Sequence, residues 1–258
     1  MTKKIKKAII NTTERGHFLP LSSQVDKELF PLGESSIIEI LVKEAASVGV
    51  EEVVFLSKEK DSRLTNLFTG LDKKLEELKK SGNAQTKEIK KLSKAVEGMS
   101  FSFSKSLPKA VSGGHDFVYI LSTDLIDNKK NALLQLMDVF KTSERPVVGL
   151  LNTEVGNVKT EKIARGLFKF KGFTDESQLK MIGRSVFTSE STKFFKGCET
   201  IREAIEKMID RGHTTYGTKI DGEFFKVENK ESYQKANIYY SLKSNKKFQE
   251  FIKEKGLL

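Results

Sequence analysis

A single cysteine, Cys198, stands in a chain of 258 residues. That excludes an internal disulfide and a zinc centre built on cysteine pairs. Tryptophan is absent while lysine is abundant, which reads as the compositional bias of an AT-rich genome. No apolar run is long enough to cross a bilayer. The N-terminus MTKKIKKAII is basic, but only three apolar residues follow its last lysine. A secretory leader needs a longer apolar segment and a small-residue cleavage site, so a cytoplasmic location and no membrane partner are expected. The three histidines, His17, His115 and His213, have neither metal-ligand spacing nor a partner nucleophile pattern.

What is present is charge and a core. The formal net charge is +10. Its lysines are spread along the chain and mixed with glutamates, with no aromatic interleaving of the kind that stacks on bases. A solvated lysine surface accounts for this better than nucleic-acid binding. A hydrophobic content of 38% is enough for one large buried domain.

Short apolar runs alternate with amphipathic segments. KAIIN (7–11) reads as a strand, and SIIEILVKEAASVG (36–49) has helical spacing with Gly49 as its stop. EEVVFLS (51–57) is a continuous apolar run, as in a strand buried on both faces. Together they make a βαβ unit. HDFVYILS (115–122), RPVVGLLN (145–152) and KMIGRSVFT (180–188) are further strands. Helices are expected at 131–143, 198–212 and from about 231 to the end. The expected class is α/β, with a mixed, mostly parallel sheet flanked by helices. The whole of 1–258 is expected to be one domain, with an insertion at about 71–98. In that insertion Leu71, Leu75 and Leu78 give one short apolar face, and Ile89, Leu92 and Val96 another. It reads as a charged helical hairpin at the domain edge, a solvated excursion or an oligomer contact.

The loop after the first strand, NTTERGHFLP (11–20), has the outline of a phosphate-wrapping loop but one glycine, Gly16. Close backbone approach to a phosphate needs glycine. The stretch KKAIINTTERGHFLP, with the helix and strand after it, resembles the opening of bacterial UTP–glucose-1-phosphate uridylyltransferases. The resemblance continues in order through YILSTDLID (119–127), LKMIGRSVFTSE (179–190), GCETIREAIEKM (197–208) and GEFFKVENKESYQKANI (222–238). It covers almost the whole chain, although no single motif is intact. It implies a Rossmann-like nucleotidyltransferase fold, and transfer of a uridylyl group from UTP to glucose 1-phosphate with magnesium. The chemistry needs backbone amides on the triphosphate, cations at the phosphates and carboxylates on the metal.

Several implied site residues are altered. In the loop, Glu14 and Gly16 fall in the glycine region, His17 replaces an arginine, and Arg15 lies nearby out of register. Arg15, Gly16 and Lys169 are the implied nucleotide or phosphate contacts. Lys27 matches the lysine of a Pro-Lys-Glu-Met motif whose proline is Asp26 here. The two metal aspartate positions fall on Thr123 and Lys226. Asp124, one residue later, is the candidate replacement ligand and, with Lys27, the candidate catalytic pair. Successive strand side chains point to opposite faces, so Asp124 is not an automatic substitute. Lys226 would repel a metal, or would itself hold a phosphate. Gly183 and Glu199 match sugar-pocket positions. A second glycine-rich segment with its helix is expected to be deleted ahead of the third strand, leaving Gly113-Gly114 as a tight turn. Cys198 is expected to be buried and inert.

The resulting expectation is a divergent uridylyltransferase homologue with weak or no catalysis. It would bind a sugar phosphate or nucleotide, or regulate an active paralogue or form a homo-oligomer. The alternative is an active enzyme making UDP-glucose from UTP and glucose 1-phosphate through an altered metal site. Magnesium is expected if the protein is active, and no cofactor otherwise.

Overall fold

The computed structural model describes residues 5–14, 18, 26–57, 62–69 and 86–256. The chain enters through β1 (Lys7–Asn11), a single 3-10 turn at Lys27–Leu29, and the two-residue strands β2 (Pro31–Leu32) and β3 (Ser35–Ser36). Next come α1 (Ile37–Ala46), β4 (Glu52–Leu56), α2 (Ser62–Thr69), α3 (Thr86–Ala95), β5 (Ser100–Ser104) and the one-turn α4 (Leu107–Ala110). The middle of the chain supplies β6 (Phe117–Leu121), β7 (Asp124–Asp127), α5 (Ala132–Ser143), β8 (Val147–Asn152), β9 (Val158–Ala164), β10 (Leu167–Phe173) and β11 (Leu179–Phe187). A 3-10 segment (Ser189–Phe195) and α6 (Ile201–Asp210) follow. The chain closes with β12 (Tyr216–Lys219), β13 (Glu223–Lys226), α7 (Lys230–Ser244) and α8 (Lys246–Glu254).

Nine strands form one sheet in the order β5-β4-β1-β6-β11-β8-β12-β10-β9. The β1–β4, β1–β6, β4–β5 and β8–β12 pairs are parallel, so β10 and β11 run against the other seven. This is the mixed, mostly parallel sheet expected from the alternating elements. Residue alternation splits the core in two. Ala8, Ile10, Val53, Phe55, Val118 and Ile120 face the layer that holds α1 and α5. Ile9, Val54, Leu56, Phe117 and Tyr119 face the layer that holds α4 and α6. Strands buried on both faces read as continuous apolar runs for this reason.

Local chemistry sets the element ends. Ser36 and Glu39 form a reciprocal capping box at the start of α1, and Gly49 (φ +81°) turns the chain into β4. Asn131 caps α5 by accepting the Leu134 N–H at 2.9 Å.

The first half of the expected hairpin, 71–85, lies outside the described residues. In the second half, α3 is more than a solvated excursion. Leu92 and Val96 are buried in the same core as α1. Ahead of β6 stand the one-turn α4 and then Gly113-Gly114, with no helix between those glycines and the strand. Gly113 and Gly114 do form a turn, at φ +110° and +65°.

Candidate functional site

A cavity of about 880 Å³ opens where β1, β4 and β6 end. Ligands of open α/β sheets bind at the carboxyl ends of the strands, and the volume suits a small molecule. Asn11, Leu56, Tyr119 and Leu121 come from those strand ends. The Asn11 amide donates to the Tyr119 hydroxyl at 2.6 Å. Burial pushes the Tyr119 phenol far above its ordinary value, against the pull of that hydrogen bond. The tyrosine is thus a neutral polar group at the cavity wall.

The loop beyond β1 begins with an Asx turn, in which the Asn11 side chain accepts the Thr13 N–H at 2.9 Å. Glu14 follows, exposed and lining the cavity. Its Oε2 accepts the Thr123 hydroxyl at 3.1 Å. Arg15, Gly16 and His17 lie outside the described residues.

Beyond β6 the chain turns at Ser122-Thr123 into β7, which pairs with β13 so that Asp124 faces Lys226. Asp124 is buried. Its Oδ2 accepts the Gly183 N–H at 2.7 Å and its Oδ1 is 3.3 Å from the Thr123 hydroxyl. Burial raises its carboxyl pKa. The Gly183 N–H, Arg184 and Lys226 oppose that rise, and Glu14 adds to it. Gly183 is where β11 comes closest to the β6–β7 turn. A Cβ there would lie 2.2 Å from the Leu121 Cβ and 3.1 Å from the Asp124 Oδ2.

Beneath this turn lies Arg184, fully buried beside Glu44 of α1. Its Nε lies 3.1 and 3.0 Å from the two carboxylate oxygens, and its Nη2 is 2.9 Å from Oε2. Its guanidinium also donates to the carbonyls of Leu121, Gly183 and Asp124. Guanidinium geometry suits such a multivalent buried anchor. The pair was not singled out from sequence, although an arginine inside the apolar strand MIGRSVF is itself a signal: buried, it needs an acidic partner.

The other candidates divide. Asp124, Gly183 and Lys226 line the cavity, and Thr123, buried outside that lining, reaches it through its hydroxyl's hydrogen bond to Glu14. Glu199 lines its other side, with Cys198, Thr200, Ile201 and Arg202. Glu199 directly precedes Thr200, the N-cap of α6. Lys27 does not line the cavity. It is buried, and its ammonium lies 3.1 Å from Glu28 Oε1 without hydrogen-bond alignment. The same Glu28 oxygen accepts the Ser122 hydroxyl at 2.8 Å. Lys169 also falls outside the lining, in β10 opposite Glu161 and Tyr216. Among the described residues, the cations that reach the cavity besides Lys226 are Lys105, Lys180 and Arg202, none of which was singled out from sequence. Cys198 is buried as expected, with its sulfur 3.1 Å from the Lys207 ammonium.

The residues present do not fit the divalent ion that the resemblance implies. Asp124 Oδ2 already accepts the Gly183 N–H, a hydroxyl stands at Thr123, and the residue facing Asp124 is a lysine. Among the described residues no three acidic, histidine or cysteine side chains group as metal ligands. Hard divalent ions want several free oxygens. The cavity instead offers ammonium and guanidinium groups on a wall of mixed apolar and polar side chains that also carries Glu14 and Glu199, and these cations can hold an anionic ligand.

No protein-family model matches the chain. A UTP–glucose-1-phosphate uridylyltransferase of Staphylococcus epidermidis is 26% identical, covering 98% of this chain and 99% of the relative. Among solved structures, a UTP-bound UGPase from Acinetobacter baumannii superposes with a TM-score of 0.80 at 22% identity, over 97% of this chain and 99% of that one. A UDP-glucose pyrophosphorylase complexed with UDP-glucose gives a TM-score of 0.74 at 20% identity, over 93% and 99%. At such identities the solved structures establish the fold.

Proposed function

We propose that this chain, a divergent member of the UTP–glucose-1-phosphate uridylyltransferase family, binds a uridine nucleotide or nucleotide sugar and turns it over weakly or not at all. The binding half rests on the retained cavity at the ends of β1, β4 and β6, and on relatives of the same fold that hold UTP and UDP-glucose. The single observation behind the loss of turnover is the Asp124–Lys226 pair. Where the resemblance puts the metal, the buried Asp124 carboxylate, one oxygen taken by the Gly183 N–H, stands across the strand pair from a lysine.

Uridylyl transfer separates negative charge onto departing pyrophosphate, and cation stabilisation of that charge is a large part of the catalysis. Without a divalent ion that stabilisation falls to the lysines and the arginine of the cavity alone, and the metal's share of it is lost. Lys27, the alternative catalytic candidate, points its ammonium at Glu28 behind the cavity wall. No observation here favours the active-enzyme reading over the binding one.

Calorimetric titration with UDP-glucose and with UTP tests the binding half. Saturable binding of one of them at a single site is expected. Absence of binding by folded protein would overturn the reading. Turnover is tested separately, by pyrophosphate release from UTP and glucose 1-phosphate.

A further inference from the structure

Four groups meet at one end of the cavity. The Thr123 hydroxyl lies 3.1 Å from Glu14 Oε2 and 3.3 Å from Asp124 Oδ1, and Asp124 Oδ2 takes the Gly183 N–H. Lys226 stands across the strand pair from Asp124, close enough to lower its pKa. The lysine also reaches outward, with its ammonium 2.6 Å from Glu228, and both side chains are more than a third exposed. A solvent-facing ion pair of this kind is weak. A phosphate entering the cavity therefore displaces Glu228 at little cost and gains a charge-assisted contact in exchange. Arg202 is also in a solvent-facing pair, with Glu206 at 3.1 Å, and its guanidinium lies 4.3 Å above the Phe173 ring.

We propose that Lys226 is the resident cation of this site, binding the ligand's phosphate directly and making binding independent of divalent metal. The phosphate half rests on the nucleotide-sugar reading above; the metal half does not. Asp124 and Glu14 then serve to place and balance the ammonium. The geometry also says what would reverse the change. An aspartate at 226 would face Asp124 and lie near Glu14, assembling the oxygen-rich group that the wild-type chain lacks. Because residue 226 is partly exposed, substitution there is compatible with folding.

The test compares wild type, Lys226→Ala and Lys226→Asp in two assays. Calorimetry with UDP-glucose is run in EDTA and again in magnesium, and Mn²⁺ binding without nucleotide is read by electron paramagnetic resonance. Wild type is expected to bind UDP-glucose equally in both buffers, within about twofold, and Lys226→Ala to bind about tenfold more weakly. Wild type is expected to leave Mn²⁺ free, and Lys226→Asp to bind it. Binding only in magnesium, undiminished affinity in Lys226→Ala, or Mn²⁺ bound by wild type would overturn the proposal while leaving the nucleotide-sugar reading in place. No UDP-glucose binding in either buffer overturns that reading and the phosphate half with it.

Discussion

Asp124 and Lys226 are cross-strand partners in the antiparallel pair β7–β13, and both line the cavity at the ends of β1, β4 and β6. Directly opposed charges on one face of a strand pair attract. The strand pairing ties the turn after β6 to the segment that leads into α7.

The first prediction concerns the Asp124 carboxyl, whose burial raises its pKa above the unfolded value of 3.8. A carboxyl raised on folding stabilises the native state fully below the unfolded value. That contribution is lost as pH rises through the folded value. Asp124→Asn keeps an acceptor for the Gly183 N–H but does not titrate. Its stability relative to wild type should therefore increase as pH rises from the acid range toward neutrality, measured by urea melts. A difference that is flat with pH, or of opposite slope, would refute this.

His213 behaves in the opposite sense. Burial, with Arg145 and Lys193 adding and Glu190 opposing, lowers its pKa below 6.5. Its contribution is present above the unfolded pKa and is lost as pH falls through the folded one. His213→Gln should remove that loss, so wild type should weaken relative to the variant below pH 6.5. The ring of His213 packs 5.2 Å from Phe194, so a constant offset between the two proteins is expected as well. The pH-dependent part is the test.

Arg184→Met leaves Glu44 buried without its cation. Breaking a buried pair from one side costs about 3–5 kcal/mol, readable as a shift in the urea midpoint. The double variant Arg184→Met with Glu44→Leu should recover part of that loss, since the stranded charge is removed. Equal stability of the single and double variants would show that the carboxylate is not stranded.

Gly183→Ala brings a Cβ to within 2.2 Å of the Leu121 Cβ, so one strand must move. Overpacking of this kind costs about 1–3 kcal/mol. The same shift displaces the Gly183 N–H from Asp124, so UDP-glucose affinity should fall together with stability. A variant as stable as wild type would contradict the close approach.

Much of the sheet was legible in the residues. KAIIN, EEVVFLS, DFVYILS and RPVVGLL are apolar on both faces, and such runs become the central strands. The helix at 37–46 carries a readable cap in Ser36 and Glu39. The edge strand β9 and its neighbour β10 were missed because VKTEKIA and LFKFKGF carry polar, exposed positions, and strands at the margin of a sheet are specified by pairing as much as by burial. At the site, the altered positions Thr123 and Lys226 were visible by resemblance, and the fold brings them to one end of a cavity. Tertiary placement was not visible. Lys27 and Lys169 are lysines in suggestive positions, yet one is buried against Glu28 and the other sits in β10 outside the cavity. Lys105 and Lys180 lie in unremarkable sequence and reach the cavity only through the fold.

The most direct test of the central claim is pyrophosphate release from UTP and glucose 1-phosphate with magnesium, run beside an active uridylyltransferase. A rate more than about a hundredfold below that enzyme is expected, equivalent to at least roughly 2.7 kcal/mol of added barrier. Release within that margin from the wild-type chain would contradict it and would make Asp124 a working replacement ligand.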